Sequence, residues 1–302
     1  MASQGKATFQ QLLTPEVLST ASGLEFISKV VVDGYLSGHH RSNRLGTGME
    51  FSQYRNYQPG DDLRLLDWKM LARSGKYFVK ESEVETNISV RFIIDLSASM
   101  LYEEAAISKL SYAKVIASSL AFLSQKQGDA ISLFGLNSDQ VTMLSPRMDK
   151  QHFHRFLSML VNMKAEGFWP TERTKTEALH DRRYKEMIIF ITDLYESNQE
   201  LMDFISRLKT IRNEVMVLNV TGQKELELDF DGVVTFQDLE TSARIKVDSS
   251  KARGSYIEAF NNRMSEVKSQ LASRDIYYEM IRLNESPAHS LELFLKRRMK
   301  LI

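Results

Sequence analysis

Apolar runs and helical periodicities alternate along the chain from residue 88 onward. The largely apolar run Val90–Ile94 has the length of a strand, and Ser108–Gln127 then carries leucines and alanines at helical spacing. Two further apolar runs, Met187–Ile191 and Val215–Val220, flank the helical segment Ser197–Arg212. Because this alternation is typical of a parallel sheet with helices on both faces, it predicts an α/β, doubly wound, mostly parallel sheet.

The pattern divides the chain into three parts. Residues 1–36 begin with a polar, Gln-rich stretch and continue with Thr14-Pro15, a predicted helix start, so we expect a helical or flexible segment. Residues 37–87 are rich in glycines and aromatic side chains, including Trp68, which we expect to be buried in a β-rich appendage. Residues 88–302 form the α/β domain, with a predicted β-hairpin insertion near residues 231–248.

The amino-acid composition excludes several classes of binding partner and of site chemistry. The 39 Lys and Arg residues balance the 39 Asp and Glu residues, so no global field favours nucleic acid or an anionic membrane. No apolar run approaches the ~20 residues of a membrane-spanning helix, and the first residues lack a secretory pattern. The chain has no cysteine, which excludes disulfides and thiolate metal sites. We therefore expect a cytoplasmic protein without membrane insertion.

Oxygen-bearing side chains follow two of the predicted strands. Asp95, Ser97 and Ser99 come at alternating positions after the first core strand, and Asp193 follows Met187–Ile191. Ligands of open α/β sheets bind at the carboxyl ends of strands, and carboxylates and hydroxyls are the oxygen ligands that Mg²⁺ prefers. These four residues therefore predict a magnesium site. A loop threonine would complete it, and we prefer Thr171 over Thr174.

Together these residues resemble the metal-ion-dependent adhesion site of von Willebrand factor A domains. A preceding tract, Tyr54-Arg55-x-Tyr57-x-Pro59-Gly60-Asp61-Asp62-x-Arg64-x-x-Asp67-Trp68, resembles a family of unknown function whose von Willebrand factor A-like members are associated with MoxR-type AAA+ ATPases. The resemblance extends from about residue 37 to the end and includes Asp238-Leu-Glu-Thr241 and Leu295-x-x-Arg298. The chain departs from the pattern at Pro170, where the family has a glycine before the loop threonine.

The resemblance implies a non-enzymatic adaptor that docks partners through Mg²⁺. A partner's Asp or Glu would fill a free position of the metal, and the partners would be a MoxR-type AAA+ ATPase and a client protein that bears the acidic residue. The adaptor would work in the assembly or activation of client complexes.

Three alternatives stay open. The polar residues at the strand ends could serve solely to cap helices and satisfy loop amides, without binding a metal. A Mg²⁺-dependent phosphoester hydrolase would also place its metal at a strand end, although the sequence has no phosphate loop, nucleophile elbow or HExxH helix. A scaffold with a vestigial metal site is the third. The charged residues Asp61, Asp62, Arg64, Asp67 and Arg73 favour a structural network over a docking surface.

Overall fold

The structure is a computed structural model that describes residues 12–42, 53–58, 66, 68–81, 88–170, 185–195 and 200–301. The α-helices of this part are α1 (Pro15–Leu18), α2 (Ala21–Ser42), α3 (Trp68–Ser74), α4 (Lys109–Lys126), α5 (Lys150–Asn162), α6 (Glu200–Leu208), α7 (Gln223–Glu227), α8 (Ser249–Ser273) and α9 (Ala288–Arg298). The strands are β1 (Gln53–Asn56), β2 (Phe78–Glu81), β3 (Ser89–Asp95), β4 (Glu103–Glu104), β5 (Ile107–Ser108), β6 (Ala130–Leu136), β7 (Val141–Arg147), β8 (Glu186–Thr192), β9 (Asn213–Thr221), β10 (Val233–Gln237), β11 (Arg244–Asp248) and β12 (Tyr277–Arg282).

Six strands form the central sheet in the order β12-β9-β8-β3-β6-β7. All neighbours are parallel except β7, which pairs antiparallel with β6 at the edge. The chain order starts at β3, moves outward through β6 and β7, and then returns to build the other half from β8. This order confirms the predicted doubly wound, mostly parallel α/β fold, and it makes the carboxyl ends of β3 and β8 the point where ligands bind in such sheets.

Burial and capping explain why the central elements form. Every residue of β8 is buried, as are the last six residues of β3, so their apolar runs lie between helical layers. Ser108 caps α4 by accepting a hydrogen bond from Ser111 N at 3.1 Å, and Asp149 caps α5 by accepting one from His152 N at 2.8 Å. Both helices therefore begin at residues whose side chains satisfy a free backbone amide.

The amino-terminal segment contributes a helix to the core. Thr14 caps α1, as predicted, with Pro15 in its first turn. Helix α2 continues to Ser42, past the predicted segment boundary at residue 36, and its Leu24 and Ile27 are fully buried. The described part of residues 1–36 is therefore helical, and apolar burial holds it in place.

The chain divides into two compact units, Met1–Tyr35 with Asn87–Ile302 and Leu36–Thr86. Within the second unit, β1 and β2 pair antiparallel, and α3, which lies between them in the chain, is a short helix without buried residues. The predicted burial of Trp68 is wrong, because this first residue of α3 is 63% exposed. Four of the five charged residues of the predicted network, Asp61, Asp62, Arg64 and Asp67, lie outside the described residues, whereas Arg73 lies in the last turn of α3.

The predicted β-hairpin insertion is confirmed. Strands β10 and β11 pair antiparallel from Val233 opposite Asp248 to Gln237 opposite Arg244. The hairpin lies between α7 and α8 in the chain, so it is an excursion from the strand–helix alternation rather than part of the central sheet.

Candidate metal centre

Asp95 ends β3 beside the last residues of β8. One oxygen, Oδ1, accepts a hydrogen bond from Ser97 N at 2.9 Å, and Oδ2 accepts one from Thr192 Oγ1 at 2.6 Å. The residue is only 2% exposed. The structure therefore holds this carboxylate in one orientation.

The two serines and Asp193 form a chain of contacts next to Asp95. Ser97 Oγ and Ser99 Oγ are 3.0 Å apart, and Ser99 Oγ donates a hydrogen bond to Asp193 Oδ1 at 3.1 Å. Asp193 follows β8, as predicted, and its side chain is buried. Four of the five predicted ligands therefore lie together at the carboxyl edge of the sheet.

The fifth predicted ligand, Thr171, lies outside the described residues, as does its alternative Thr174. The chain that leads to them is described as far as Pro170. Two backbone hydrogen bonds of 2.9 Å join this segment to the loop that follows Asp95. One runs from Ala98 N to Gly167 O and the other from Glu166 N to Leu96 O. This segment therefore runs alongside the candidate centre, and the choice between the two threonines stays a prediction.

A buried lysine was missed by sequence reasoning. Lys109 Nζ donates to Asp193 Oδ2 at 2.9 Å and to Glu225 Oε1 at 2.7 Å, and its side chain is 3% exposed. Its position at the start of α4 is one where lysines are usually solvated, so the sequence gave no specific signal. Glu225 could have been suspected, because it lies in the helix after β9, whose carboxyl end meets the same sheet edge.

Gly222 fixes the position of Glu225. As the N-cap of α7, it donates its backbone N–H to Glu225 Oε2 at 2.8 Å. A Cβ atom at this position would lie 2.5 Å from Tyr102 Cε1 and 2.7 Å from Glu104 Oε2. A side chain at this position would have to displace Tyr102 and Glu104, whereas glycine leaves both in place beside the Glu225 carboxylate.

Burial and neighbouring charges shift the pKa values of Asp95 and Lys109. Burial, followed by the charge of Asp193, raises the pKa of Asp95 to about 7, against the opposing hydrogen bonds from Thr192 and Ser97. Burial would lower the pKa of Lys109, but the carboxylates of Asp193 and Glu225 outweigh it and raise that pKa. Lys109 therefore stays charged, and its charge serves two carboxylates at once.

The donor set fits a hard divalent cation. Two carboxylates and two hydroxyls present only oxygen atoms, which suit Mg²⁺ better than zinc. Among the described residues, no lysine or arginine forms an ion pair with Asp95, so its charge lacks the counter-ion that Asp193 has. The described residues contain no cluster of three or more His, Cys, Asp or Glu side chains that could hold a metal, so binding would depend on the serine hydroxyls.

A cavity of about 260 Å³ opens beside the centre. Lys109, Asp193 and Glu225 line one side of it, and Tyr195 and Tyr256 are among the residues that line the rest. Tyr256 Oη donates a hydrogen bond to Glu225 O at 2.7 Å. The candidate centre therefore adjoins a partly aromatic hollow that could receive a side chain.

The fold and the edge cluster define a doubly wound α/β protein with an oxygen-rich candidate metal centre. The family described as "Protein of unknown function DUF58" matches residues 53–266, and the chain belongs to this family. Uncharacterized protein Rv1480 of Mycobacterium tuberculosis and uncharacterized protein Mb1516 of Mycobacterium bovis are each 28% identical to it over 232 residues, which are 75% of this chain and 72% of the relative.

Several solved structures are similar to the chain at low sequence identity. The conserved hypothetical protein BatB from Bacteroides thetaiotaomicron is 14% identical with a TM-score of 0.48, over 71% of this chain and 100% of that one. An aerotolerance-related membrane protein from Bacteroides fragilis is 15% identical with a TM-score of 0.47 over the same shares. The SpRpn10 VWA domain is 11% identical with a TM-score of 0.40, over 69% of this chain and 95% of that one. The strand order described above defines the fold independently of these neighbours.

The helices of the described part were also compared with the dimensions of a bilayer. None of them is both long enough and apolar enough to cross a membrane.

Proposed function

We propose that the chain is a non-enzymatic interaction module that docks an acidic residue of a partner through a Mg²⁺-dependent site. The observation that carries this proposal is the convergence of Asp95, Ser97, Ser99 and Asp193 at one edge of the sheet. Thr171 is the proposed fifth ligand.

Charge explains why such a site would attract a carboxylate. The two hydroxyls are neutral, and Lys109 already balances part of the charge of Asp193. A bound Mg²⁺ would therefore keep positive character and could accept a carboxylate from another protein. The residues of the chain bind and orient the cation, and the metal supplies an electrostatic docking point.

We further propose that the partner is a MoxR-type AAA+ ATPase, with the present chain acting as its adaptor in the assembly or activation of client complexes. This proposal rests on the sequence resemblance of the tract from Tyr54 to Trp68 and of the DxSxS motif. The client would carry the acidic residue that reaches the site. Cytoplasmic localisation stays part of the same hypothesis.

The first test measures metal binding and partner capture with the same variants. Mg²⁺ is titrated into the purified protein, into Asp95→Asn and into Asp203→Asn, a control that alters an exposed aspartate of α6. We expect saturable binding that Asp95→Asn abolishes and Asp203→Asn preserves. The same three proteins, with Mg²⁺ or EDTA, then serve as bait for a purified MoxR-type ATPase from the source cell.

Retention that needs both Mg²⁺ and Asp95 is the expected result. Absence of Mg²⁺ binding to the unaltered protein would refute the metal-dependent mechanism, and equal retention in EDTA would favour the scaffold with a vestigial site. The hydrolase alternative is tested with p-nitrophenyl phosphate. Mg²⁺-dependent turnover that Asp95→Asn removes would support the alternative and contradict a non-enzymatic role.

A further inference from the structure

Strand β7 is an outer strand of the central sheet. Among the described strands it pairs only with β6, so its other side presents backbone groups without a ladder partner. Natural edge strands are protected against further pairing by proline, by charge or by a bulge. In β7 this protection lies at the carboxyl end, which contains Pro146 and pairs with β6 across a shift in register between Ile131 and Leu133. Residues 141–144 pair regularly with β6 and lack these features.

The turn before β7 determines which of its backbone groups point outward. Asn137 N donates a hydrogen bond to Gln140 O at 3.2 Å. Hydrogen-bonded and non-hydrogen-bonded pairs alternate along an antiparallel ladder, so Val141 and Met143 stand in non-hydrogen-bonded pairs with β6. Their N–H and C=O groups therefore point away from β6, and their side chains are 39% and 51% exposed. This half of β7 is a template for one more strand.

A groove of about 750 Å³ lies beside β7 and carries basic side chains. Its lining includes Thr142 of β7, Arg155 of α5 and Lys164, which follows α5. Arg155 and Lys164 are exposed, and in the described part of the chain neither forms an ion pair. The acidic side chain of the lining, Glu166, accepts a hydrogen bond from Gln140 Nε2 at 3.1 Å. The groove therefore offers two cationic groups to an incoming ligand.

The two faces of β7 differ in chemistry. Successive residues of a strand point to opposite faces, so Thr142 on the groove side lies opposite to Val141 and Met143. A strand added to β7 would place every second side chain beside the basic groove and the others beside the two exposed apolar side chains. Acidic and apolar residues in alternation match these two faces.

We propose that residues 141–144 of β7 bind an extended acidic segment of a partner protein as an added strand, in which acidic residues alternate with apolar ones. Main-chain hydrogen bonds to Val141 and Met143 supply affinity, and Arg155 and Lys164 select the acidic residues. A second copy of this chain fits poorly, because β7 has no acidic residue and its pairing with itself would bring two basic grooves together. This binding needs no metal and goes beyond the proposed function.

The test uses a fluorescein-labelled peptide of four Glu-Val repeats, whose binding is followed by fluorescence anisotropy in EDTA. A peptide of the same composition, with the glutamates and valines in two separate blocks, tests the alternation. Arg155→Glu together with Lys164→Glu reverses the charge of the groove. The matched control is Lys268→Glu together with Arg274→Glu, which reverses the same charge at exposed positions near the end of α8. Circular dichroism verifies that each variant is folded.

A variant of Met143 tests whether the peptide binds as a strand. Met143→Pro removes an outward N–H, and an edge strand tolerates proline where the N–H faces solvent. Met143→Thr changes the side chain and keeps the N–H. We expect Met143→Pro to bind the alternating peptide about fivefold more weakly than Met143→Thr does, as for the loss of one hydrogen bond.

The alternating peptide should bind equally to the unaltered protein, to Asp95→Asn and to the α8 control, and at least about tenfold more weakly to the groove variant. Equal binding of the two peptides, or equal binding to the groove variant and the α8 control, would overturn the proposal. So would absence of binding to the unaltered protein. In that case a dimer in analytical ultracentrifugation that Met143→Pro dissociates would assign the outer side of β7 to a second copy of the chain.

Discussion

Lys109 determines how much negative charge the candidate centre carries. Its ammonium group bonds to carboxylates on two different elements, Asp193 after β8 and Glu225 in α7. The ring of Tyr102 lies 5.0 Å from Nζ, which adds a cation–π contact. One buried lysine therefore joins three parts of the site edge, and its loss would leave two carboxylates without their counter-charge.

We predict that Lys109→Met destabilises the fold by about 3 to 5 kcal/mol, because removal of one partner leaves buried charges uncompensated. Urea denaturation measures the effect. Lys251→Met is the control, since Lys251 is exposed and pairs with Asp248 at the surface, where ion pairs contribute about 1 kcal/mol or less. Adding Glu225→Gln to Lys109→Met should recover part of the loss. Equal denaturation midpoints for the two lysine variants would contradict the prediction.

The sequence predicted the parts of the site that follow from topology. Asp95 and Asp193 follow apolar strand runs, and parallel strands bring their carboxyl ends to one edge. Lys109 could not be found in this way, because it is recognisable only from its burial and its two carboxylate partners.

A second lysine, Lys114, joins helices α4 and α5. Unlike Lys109, it has a lowered pKa. Lys114 Nζ donates hydrogen bonds to Val161 O at 2.9 Å and to Met163 O at 2.8 Å, which satisfies carbonyls at the end of α5. Burial lowers the pKa of Lys114 to about 8, from an ordinary value of 10.5. Between these two pH values the unfolded chain binds more protons than the folded chain.

The contribution of Lys114 to stability should therefore rise with pH from about 8 to 10.5. We expect the free energy of unfolding of the unaltered protein, minus that of Lys114→Met, to increase across this range. The slope is at most about 1.4 kcal/mol per pH unit. Urea denaturation at pH 7.5, 8.5 and 9.5 measures the difference, and the variant serves as the control for every other titrating group. A difference that stays constant or falls with pH would contradict the lowered pKa of Lys114.

At the level of elements, the two tryptophans show what aromatic content can predict and what it cannot. Trp68, expected to be buried, is 63% exposed, whereas Trp169 is 2% exposed and packs against Phe190 and Phe204 with ring centroids 5.5 and 5.1 Å away. An aromatic side chain indicates a need for burial but does not identify the surface that provides it. In the short helix α3, no residue is buried.

We predict that Trp68→Ala changes the free energy of unfolding by about 0.5 kcal/mol or less, while Trp169→Ala costs about 3 to 5 kcal/mol. Chemical denaturation of the two variants, followed by circular dichroism, provides the comparison. A large loss in Trp68→Ala would show that this ring is covered in solution.

At the scale of the whole molecule, helix α9 contacts the sheet at the amino ends of its strands, opposite the candidate metal centre. Arg298, in the last turn of α9, forms two hydrogen bonds to Asp129, with Nε at 2.6 Å from Oδ2 and Nη2 at 2.7 Å from Oδ1. Asp129 Oδ1 also accepts the backbone N–H of Ile88 at 3.2 Å. The buried carboxylate of Asp129 therefore joins the start of β3, the start of β6 and helix α9.

A cation in the last turn of a helix is favoured by the helix dipole, and the bidentate pair with Asp129 gives Arg298 a stronger role. We predict that Arg298→Met costs about 3 to 5 kcal/mol, because it leaves the buried Asp129 charge unpaired. Lys296→Met is the control, since Lys296 pairs with Glu292 one turn away on an exposed face. Denaturation midpoints measure both. Arg298→Met together with Asp129→Asn should recover part of the loss, and a double variant less stable than Arg298→Met would mean that the aspartate stabilises the entry of β3 without the arginine.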